Sequence, residues 1–317
     1  MRVVVVGSGL AGVTVAEALA NDPRHEICLV TAETHGYYAR PRLSHGFSSD
    51  ASIVLKSFAA LRGVRVLSGI RVEQLDRERQ KVFLEDESSL DYDIVVLATG
   101  SAARIPPPLL PFRPQFHTLN SLDDLLTLRR RRQKALEARA RTRWAIIGGG
   151  LIGCEVASDL QKAGDAVTIF QREARLLETV FDRRQSQSLH DHFVSRGVEL
   201  RYNQDLRELF PRGVFDAVIM AAGFAPRVEL ARDAGLATAR GIVVNSYLRT
   251  ADPAVYAVGD VAELGGRLYP FVSPIRSQAL WLAAHLAQHN SESWVPPVFS
   301  PIVKIHGFKP APALPTA

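Results

Sequence analysis

One pattern, written twice, constrains the fold of this chain more than any other feature. Val3-Val4-Val5-Val6-Gly7-Ser8-Gly9-Leu10-Ala11-Gly12 recurs as Trp144-Ala145-Ile146-Ile147-Gly148-Gly149-Gly150-Leu151-Ile152-Gly153. Each copy opens on an unbroken apolar run, as a strand buried on both faces requires. Each then passes through G-x-G-x-x-G into an expected helix, over 13–20 and 154–162, and a second apolar run follows, over 27–30 and 166–170. The first glycine of such a loop permits the tight turn, the second lets a pyrophosphate approach the backbone, and the third lets helix and strand pack closely. The helix start then offers free N–H groups and a positive dipole end to phosphate. Gly7, Gly9, Leu10, Ala11 and Gly12 are therefore candidate contacts for one dinucleotide. Gly148, Gly150, Leu151, Ile152 and Gly153 are candidates for a second. The expected class is α/β, with two Rossmann-like dinucleotide-binding domains. The simplest chemistry joining two dinucleotides is electron transfer between flavin and nicotinamide.

The rest of the composition is compatible with this. A chain of 317 residues has room for two domains, and 47% apolar with 22% charged residues is ordinary for a globular protein. The two cysteines, Cys28 and Cys154, rule out a disulfide framework, a cysteine-rich metal site and a C-x-x-C redox pair; no metal site is expected. No apolar run reaches the roughly 18 residues of a membrane helix. Met1-Arg2 leads straight into a strand, so no signal peptide is expected and a cytoplasmic location is. The net charge of +5 is concentrated between Ser121 and Arg143, where eight cations (Arg129, Arg130, Arg131, Arg132, Lys134, Arg139, Arg141, Arg143) face three acids (Asp123, Asp124, Glu137). One basic helix, expected over 128–143, is a weak basis for nucleic-acid binding, and none is expected.

The residues after each second strand point to which dinucleotide sits where. Glu33 lies 21 residues beyond Gly12, where a carboxylate can accept from a ribose 2′-OH. In the second copy that acid is replaced by neutral Gln171, and Arg172 and Arg175 follow. A missing carboxylate with nearby guanidiniums suits a 2′-phosphate, so the reading leans to NADPH over NADH at the second site.

Further segments carry a family resemblance. Tyr38-Ala39-Arg40-Pro41-Arg42-Leu43-Ser44-His45 is similar to a Y-x-[RK]-P-x-L-S motif, Tyr92 to Gly100 to a strand ending in A-T-G, and Tyr256-Ala257-Val258-Gly259-Asp260 to Y-A-x-G-D; Ala221-Ala222-Gly223 is a weaker A-x-G strand end. With the two glycine loops, these resemble the FAD-dependent pyridine-nucleotide reductases of the two-dinucleotide-domain type, nearest to rubredoxin and flavorubredoxin reductases. The resemblance implies an FAD domain over 1–110 and 240–317 with an NAD(P) domain over 111–239 inserted in it. It implies FAD contacts from Glu33, Arg40, Pro41, Val72, Ala98, Thr99, Gly100, Gly259 and Asp260, in addition to the first glycine loop. It implies NAD(P) contacts from Gln171, Arg172, Arg175, Ala222 and Gly223, in addition to the second. His45 stands where related ferredoxin reductases have a lysine near flavin N5, which makes it the candidate catalytic residue. A helix expected past Pro274 would direct its positive end at the flavin.

Two departures qualify the resemblance. The cysteines of relatives with a redox disulfide are absent, and Cys28 and Cys154 read as packing residues, so electrons are expected to leave directly from the flavin. The chain also stops where relatives begin a C-terminal domain, and the tail over 308–315 is proline-rich and expected to be disordered. A partner subunit could then stand in for that domain. The segment over 201–216 is short, so the second domain's β-meander is expected to be trimmed. The function expected is an FAD-dependent NAD(P)H oxidoreductase delivering electrons to a small acidic iron carrier such as a rubredoxin, with the basic helix steering it. The alternatives are an NAD(P)H oxidase or small-molecule reductase, and a non-catalytic flavin-binding subunit.

Overall fold

The computed structural model describes residues 1–49, 51–203, 214–288 and 292–311. The chain divides into two compact units: Met1–Ala39, Val54–Ala102 and Ala225–Ser300 form the first, and Arg40–Ile53, Ala103–Phe224 and Pro301–Ala317 the second. With elements numbered in chain order, the chain passes between the units five times: after Ala39, after Ile53, within β10 (Ser101–Ala103), within β15 (Phe224–Pro226) and after Ser300.

In the first unit the first repeat becomes β1 (Arg2–Val6), α1 (Leu10–Leu19) and β2 (Glu26–Thr31). With β5 (Val64–Ser68), β9 (Ile94–Leu97) and β17 (Val255–Ala257) these strands make a parallel sheet in the order β17-β9-β1-β2-β5. Val3 to Val6 are at most 7% exposed, and burial of each contributes about 1.5–3 kcal/mol. Smaller sheets complete the unit: β3 (Tyr37–Tyr38) with β4 (Val54–Lys56), the antiparallel β6 (Val72–Asp76), β7 (Lys81–Leu84) and β8 (Ser89–Asp91), and β16 (Ile242–Val244) with β18 (Ala262–Leu264) and β19 (Arg267–Leu268). Helix α5 (Glu229–Asp233) is short, and α6 (Val272–Leu286) packs along α1.

The second unit repeats the plan. The second repeat becomes β11 (Arg143–Ile147), α3 (Leu151–Lys162) and β12 (Ala166–Gln171), and the sheet runs β13 (Glu199–Tyr202), β12, β11, β14 (Ala217–Met220), all parallel. Helices α2 (Leu122–Ala138) and α4 (Arg183–Val194) accompany it. In each unit the strand before the glycine loop lies between the repeat's second strand and a strand from farther along the chain. At that switch point the crevice beyond the carboxyl ends of the strands is the ligand position of a doubly wound sheet.

Four expectations change. The basic helix starts earlier and ends earlier than 128–143, because Ser121 and Asp124 close a capping box at its start and Arg143 is already strand. The passages between units that bound the second glycine repeat lie near 102 and 224 where 110 and 239 are expected, and three more lie at 39/40, 53/54 and 300/301. The segment Arg40–Ile53 belongs to the second unit, because α3 holds it: Phe47 N–H and Ser48 N–H donate to Asp159 Oδ2 at 2.7 and 3.0 Å. The start of the proline-rich tail is ordered: Phe308 packs on Phe181 and His192, and Gln185 Nε2 donates to the Ala311 carbonyl at 2.6 Å. The rest of that tail, and most of the short segment expected to replace a meander, lie outside the described residues. Among the described residues no helix is long and apolar enough to cross a membrane.

Candidate functional site: two glycine-loop crevices

In the first unit, Gly7 ends β1 at φ +110°, and a Cβ there would sit 2.3 Å from the Ala98 carbonyl oxygen. A Cβ on Gly12 would meet the Gly7 carbonyl oxygen at 1.9 Å. Both must be glycine: one for the turn, one for helix against strand. Gly9 is the N-cap of α1, in extended conformation, with no side chain capping the helix and no acid in its first turn. Leu10, Ala11 and Gly12 thus begin a helix whose first N–H groups no cap occupies. Behind the loop, Ser8 Oγ and Thr31 Oγ1 lie 2.8 Å apart, and Thr31 Oγ1 also accepts from Glu33 N–H at 3.1 Å. Tyr38 donates its hydroxyl to Glu33 Oε1 at 2.8 Å, so the carboxylate expected to take the ribose is held just past β2.

The A-T-G segment follows β9. Ala98 lies against the loop, Thr99 Oγ1 donates to the Arg227 carbonyl at 2.8 Å, and Gly100, at φ +68°, faces open space. Ser101 Oγ donates to Asp260 Oδ2 at 2.7 Å. Asp260 reaches this place because Gly259 turns at φ +83° against Ala11, the atom a Cβ there would meet at 3.1 Å. Sequence reasoning missed Gln278, a fully buried α6 residue whose Oε1 accepts from Gly259 N–H at 2.7 Å while its Nε2 has no partner among the described residues. Helix α6 also starts uncapped, at Phe271. Val72 sits at the start of β6, half-buried. Gly7, the start of α1, Ala98 and Gly259–Asp260 therefore converge at the carboxyl ends of β1, β9 and β17.

The second unit builds the same cradle. Gly148, at φ +113°, leaves no room for a Cβ against Ala221 O (2.4 Å), nor does Gly153 against Gly148 O (1.9 Å). Gly150 differs: it is the uncapped N-cap of α3 with ordinary extended φ, and a Cβ on it would meet nothing within 4 Å. Leu151 and Ile152 follow, Ile152 46% exposed beside that opening. Gly223, beyond Ala222 at the end of β14, also faces open space, at φ +100°. Helices α2 and α4, in contrast, carry full capping boxes. The helices left open at their starts include those behind both glycine loops, and the space in front of Gly150 fits a phosphate-bearing ligand.

The expected specificity residues are used differently. Gln171 is buried; its Oε1 accepts from Gly149 N–H at 2.7 Å and its Nε2 donates to the Arg175 carbonyl at 3.2 Å, so it braces the loop. Arg175 donates to the carbonyls of Phe181 (2.5 Å) and Glu178 (3.1 Å) and to Ser186 Oγ (3.1 Å). That guanidinium holds a turn together, and the lean to NADPH loses one of its two cations. Arg172 is exposed and pairs with Glu173. The basic stretch over 121–143 is likewise half consumed: Arg129 donates to the carbonyls of Gly46 and Ser49, Arg132 pairs with Asp165, and Arg139 and Arg143, beyond the helix, pair with Asp216. Arg130, Arg131 and Lys134 remain exposed.

Arg40, Pro41 and His45 lie in a 3-10 segment, Arg40–His45, of the second unit. Arg40 Nη1 donates to the Asn120 carbonyl. His45 Nδ1 lies 3.0 Å from Ser44 Oγ, which donates to buried Glu155 Oε2 at 2.7 Å, and His45 Nε2 lies 2.9 Å from the Lys304 carbonyl. Both ring nitrogens therefore have protein partners. One helical turn on, Asp159 collects Ser48 Oγ, the two backbone N–H groups named above and His306 Nε2 at 2.9 Å. Burial alone would raise the Asp159 carboxyl, but these bonds overcome it and hold it below its ordinary value. Burial pushes the Cys154 thiol far up, which makes it an inert packing group; Cys28 is raised for the same reason.

The model of the pyridine nucleotide-disulphide oxidoreductase family matches residues 1–288. The chain belongs to that family. Among curated family relatives, the "Nitric oxide reductase FlRd-NAD(+) reductase" of Salmonella agona (strain SL483) is 33% identical over 314 residues, 93% of this chain and 81% of that protein. Its namesake in Klebsiella pneumoniae (strain 342) is 34% identical over 316 residues, with the same coverage. Among solved family folds, NADH:rubredoxin oxidoreductase from Clostridium acetobutylicum superposes with a TM-score of 0.86 at 25% identity, covering 96% of this chain and 80% of that one. The reductase in a covalent putidaredoxin reductase–putidaredoxin complex gives 0.79 at 33% identity, covering 90% and 75%. Both units carry a Rossmann-like parallel sheet, in keeping with the α/β fold of these relatives.

Proposed function

We propose that this protein is an FAD-dependent NADH oxidoreductase that passes electrons to a small iron-centre carrier of the rubredoxin type. The observation that carries this is the pair of uncapped helix starts behind fixed glycine turns, in a chain 33% identical to a protein named FlRd-NAD(+) reductase. The first unit is read as the FAD domain and the second as the nicotinamide domain. When bound, FAD supplies the conversion of a two-electron hydride donor into single electrons. The chain's part is to hold and orient. The N–H groups at the start of α1 take the pyrophosphate, Glu33 takes a ribose hydroxyl, and Asp260, steadied by Ser101 and the Gly259 turn, takes hydroxyls of the sugar alcohol chain. In the second unit the start of α3 takes the nicotinamide dinucleotide's pyrophosphate, and Ile152 offers an apolar face. NADH is preferred because Arg175 is engaged in its own turn and the remaining Arg172 is exposed beside the carboxylate of Glu173, which disfavours a further phosphate there.

His45 is read as a positioning residue, since both its nitrogens are engaged by Ser44 and the Lys304 carbonyl. No thiol relay takes part. An iron centre held by four cysteine thiolates is itself an anion, so Arg130, Arg131 and Lys134 are read as steering its carrier. The reading places the protein in the cytoplasm, where NADH is regenerated. The test is steady-state NADH oxidation by the FAD-loaded protein with oxidised rubredoxin against oxygen alone. Turnover at least tenfold faster with rubredoxin is expected. Equal rates would make the protein an oxidase instead.

A further inference from the structure

The first unit also holds a cavity that reaches from Leu10, at the start of α1, along that helix. It opens between the outer face of α1, the β3–β4 hairpin and α6, with a volume of about 710 Å³. That lies within the roughly 300–1,000 Å³ of small-molecule sites. Thr14 and Glu17 line it from α1, Tyr37 and Lys56 from the hairpin, and Arg62 and Arg276 from the loop after it and from α6. Lys56 pairs with Glu17, so those two charges offset each other. Arg62 and Arg276 are exposed and make no hydrogen bond or ion pair with any described residue. The Tyr37 hydroxyl has no hydrogen-bond partner among the described residues either; burial raises its pKa against the opposing effect of Arg276, so it stays a donor at neutral pH.

The cavity thus carries two surplus guanidiniums, beside the offset Lys56–Glu17 pair and the neutral polar groups of Thr14 and Asn21. Its apolar lining, Leu280 (47% exposed) and Ala60, would suit a flat, weakly polar group. Guanidinium forks match phosphate oxygens two at a time, and do so better than a point charge would.

We propose that this groove, which shares Leu10 at the start of α1 with the first glycine-loop crevice and otherwise lies along the helix's outer face, is a third ligand site that binds an organic phosphate of mononucleotide size with its phosphate on Arg62 and Arg276. Nothing in the proposed electron transfer requires it, and its failure would leave that reading intact.

The test is calorimetric titration of the FAD-loaded protein, saturated with NAD+ so that the nicotinamide crevice is closed to the probe. Adenosine 5′-monophosphate is the probe, with inorganic phosphate and adenosine as controls. One equivalent of the nucleotide should bind, more tightly than either control. The double variant Arg62→Ala/Arg276→Ala should weaken it by about tenfold or more, while Arg62→Lys/Arg276→Lys, which keeps charge but loses the forks, should weaken it less. Thermal melts confirm that the variants fold, as removal of two exposed, unbonded side chains leads one to expect. Absence of heat with the parent protein, undiminished binding by the alanine pair, or phosphate binding as tightly as the nucleotide would each overturn the proposal.

Discussion

Gly148 and Gly150 stand two residues apart in one loop, and substitution of each by alanine should have opposite consequences. At Gly148 the backbone is at φ +113° and an added methyl would lie 2.4 Å from the Ala221 carbonyl oxygen. The left-handed conformation costs of order 1–3 kcal/mol for a residue with a side chain, and relief of the overlap adds about 1–3 kcal/mol more. Gly148→Ala should therefore destabilise the protein by several kcal/mol, lowering the midpoint of thermal unfolding. At Gly150 the backbone is extended and the methyl would meet no protein atom. Gly150→Ala should shift stability by less than about 1 kcal/mol. Its methyl would instead project into the space assigned to the pyrophosphate. Displacement of one charge-assisted amide–phosphate bond costs about 1.5–3 kcal/mol, or roughly 10–150-fold in affinity for NADH. The assay is NADH titration of the FAD-loaded variants, paired with thermal melts. A Gly150→Ala protein that binds NADH as well as the parent would refute the reasoning, because the open space would then not be the ligand's.

Other consequences follow from the same geometry. Asp260→Ala should purify with a flavin-to-protein ratio at most about a tenth of the parent's, while its NADH crevice, measured by binding of the nucleotide alone, is unchanged. Arg175→Ala should lower the unfolding midpoint, by loss of bonds to Phe181, Glu178 and Ser186, and leave the ratio of kcat/KM for NADH over NADPH within about twofold; a large change in that ratio would return Arg175 to the ligand. Asp159 has a folded pKa below its ordinary value of 3.8, so its contribution to stability is complete above that value and is lost as pH falls through the lower folded one. The stability gap between the parent and Asp159→Asn, followed by denaturant unfolding, should therefore close only in that acid range; a gap that closes between pH 5 and 7 would contradict the assignment. Reversal of Arg130, Arg131 and Lys134 to glutamate should slow rubredoxin reduction and flatten its dependence on salt, with no change in NADH binding.

The parts of this protein that were legible in sequence are those with local causes. A glycine forced by a turn and a valine run forced by two-sided burial announce themselves within ten residues, which is why both strand–loop–helix units and the family resemblance could be read directly. The uses of polar side chains were not legible, because they depend on direction and on distant partners. Arg172 and Arg175 looked alike in sequence, yet one is exposed beside Glu173 and the other ties together its own turn. Gln171 looked like a missing carboxylate and is a brace for Gly149. The segment around His45 took its expected place from its motif, but its packing comes from Glu155 and Asp159, more than a hundred residues away. One signal for that was available: two acids spaced i, i+4 in a helix of otherwise small and apolar residues need buried partners. Gln278 carried no such signal, since a lone glutamine on α6 reads as a surface residue until the Gly259 turn is folded against it.

The most direct test of the whole account is the visible spectrum of the FAD-loaded protein during anaerobic addition of NADH. One equivalent of NADH should bleach one equivalent of bound flavin. A well-folded protein that takes up no FAD, or that binds FAD and keeps its colour in excess NADH, would contradict the paired-crevice mechanism.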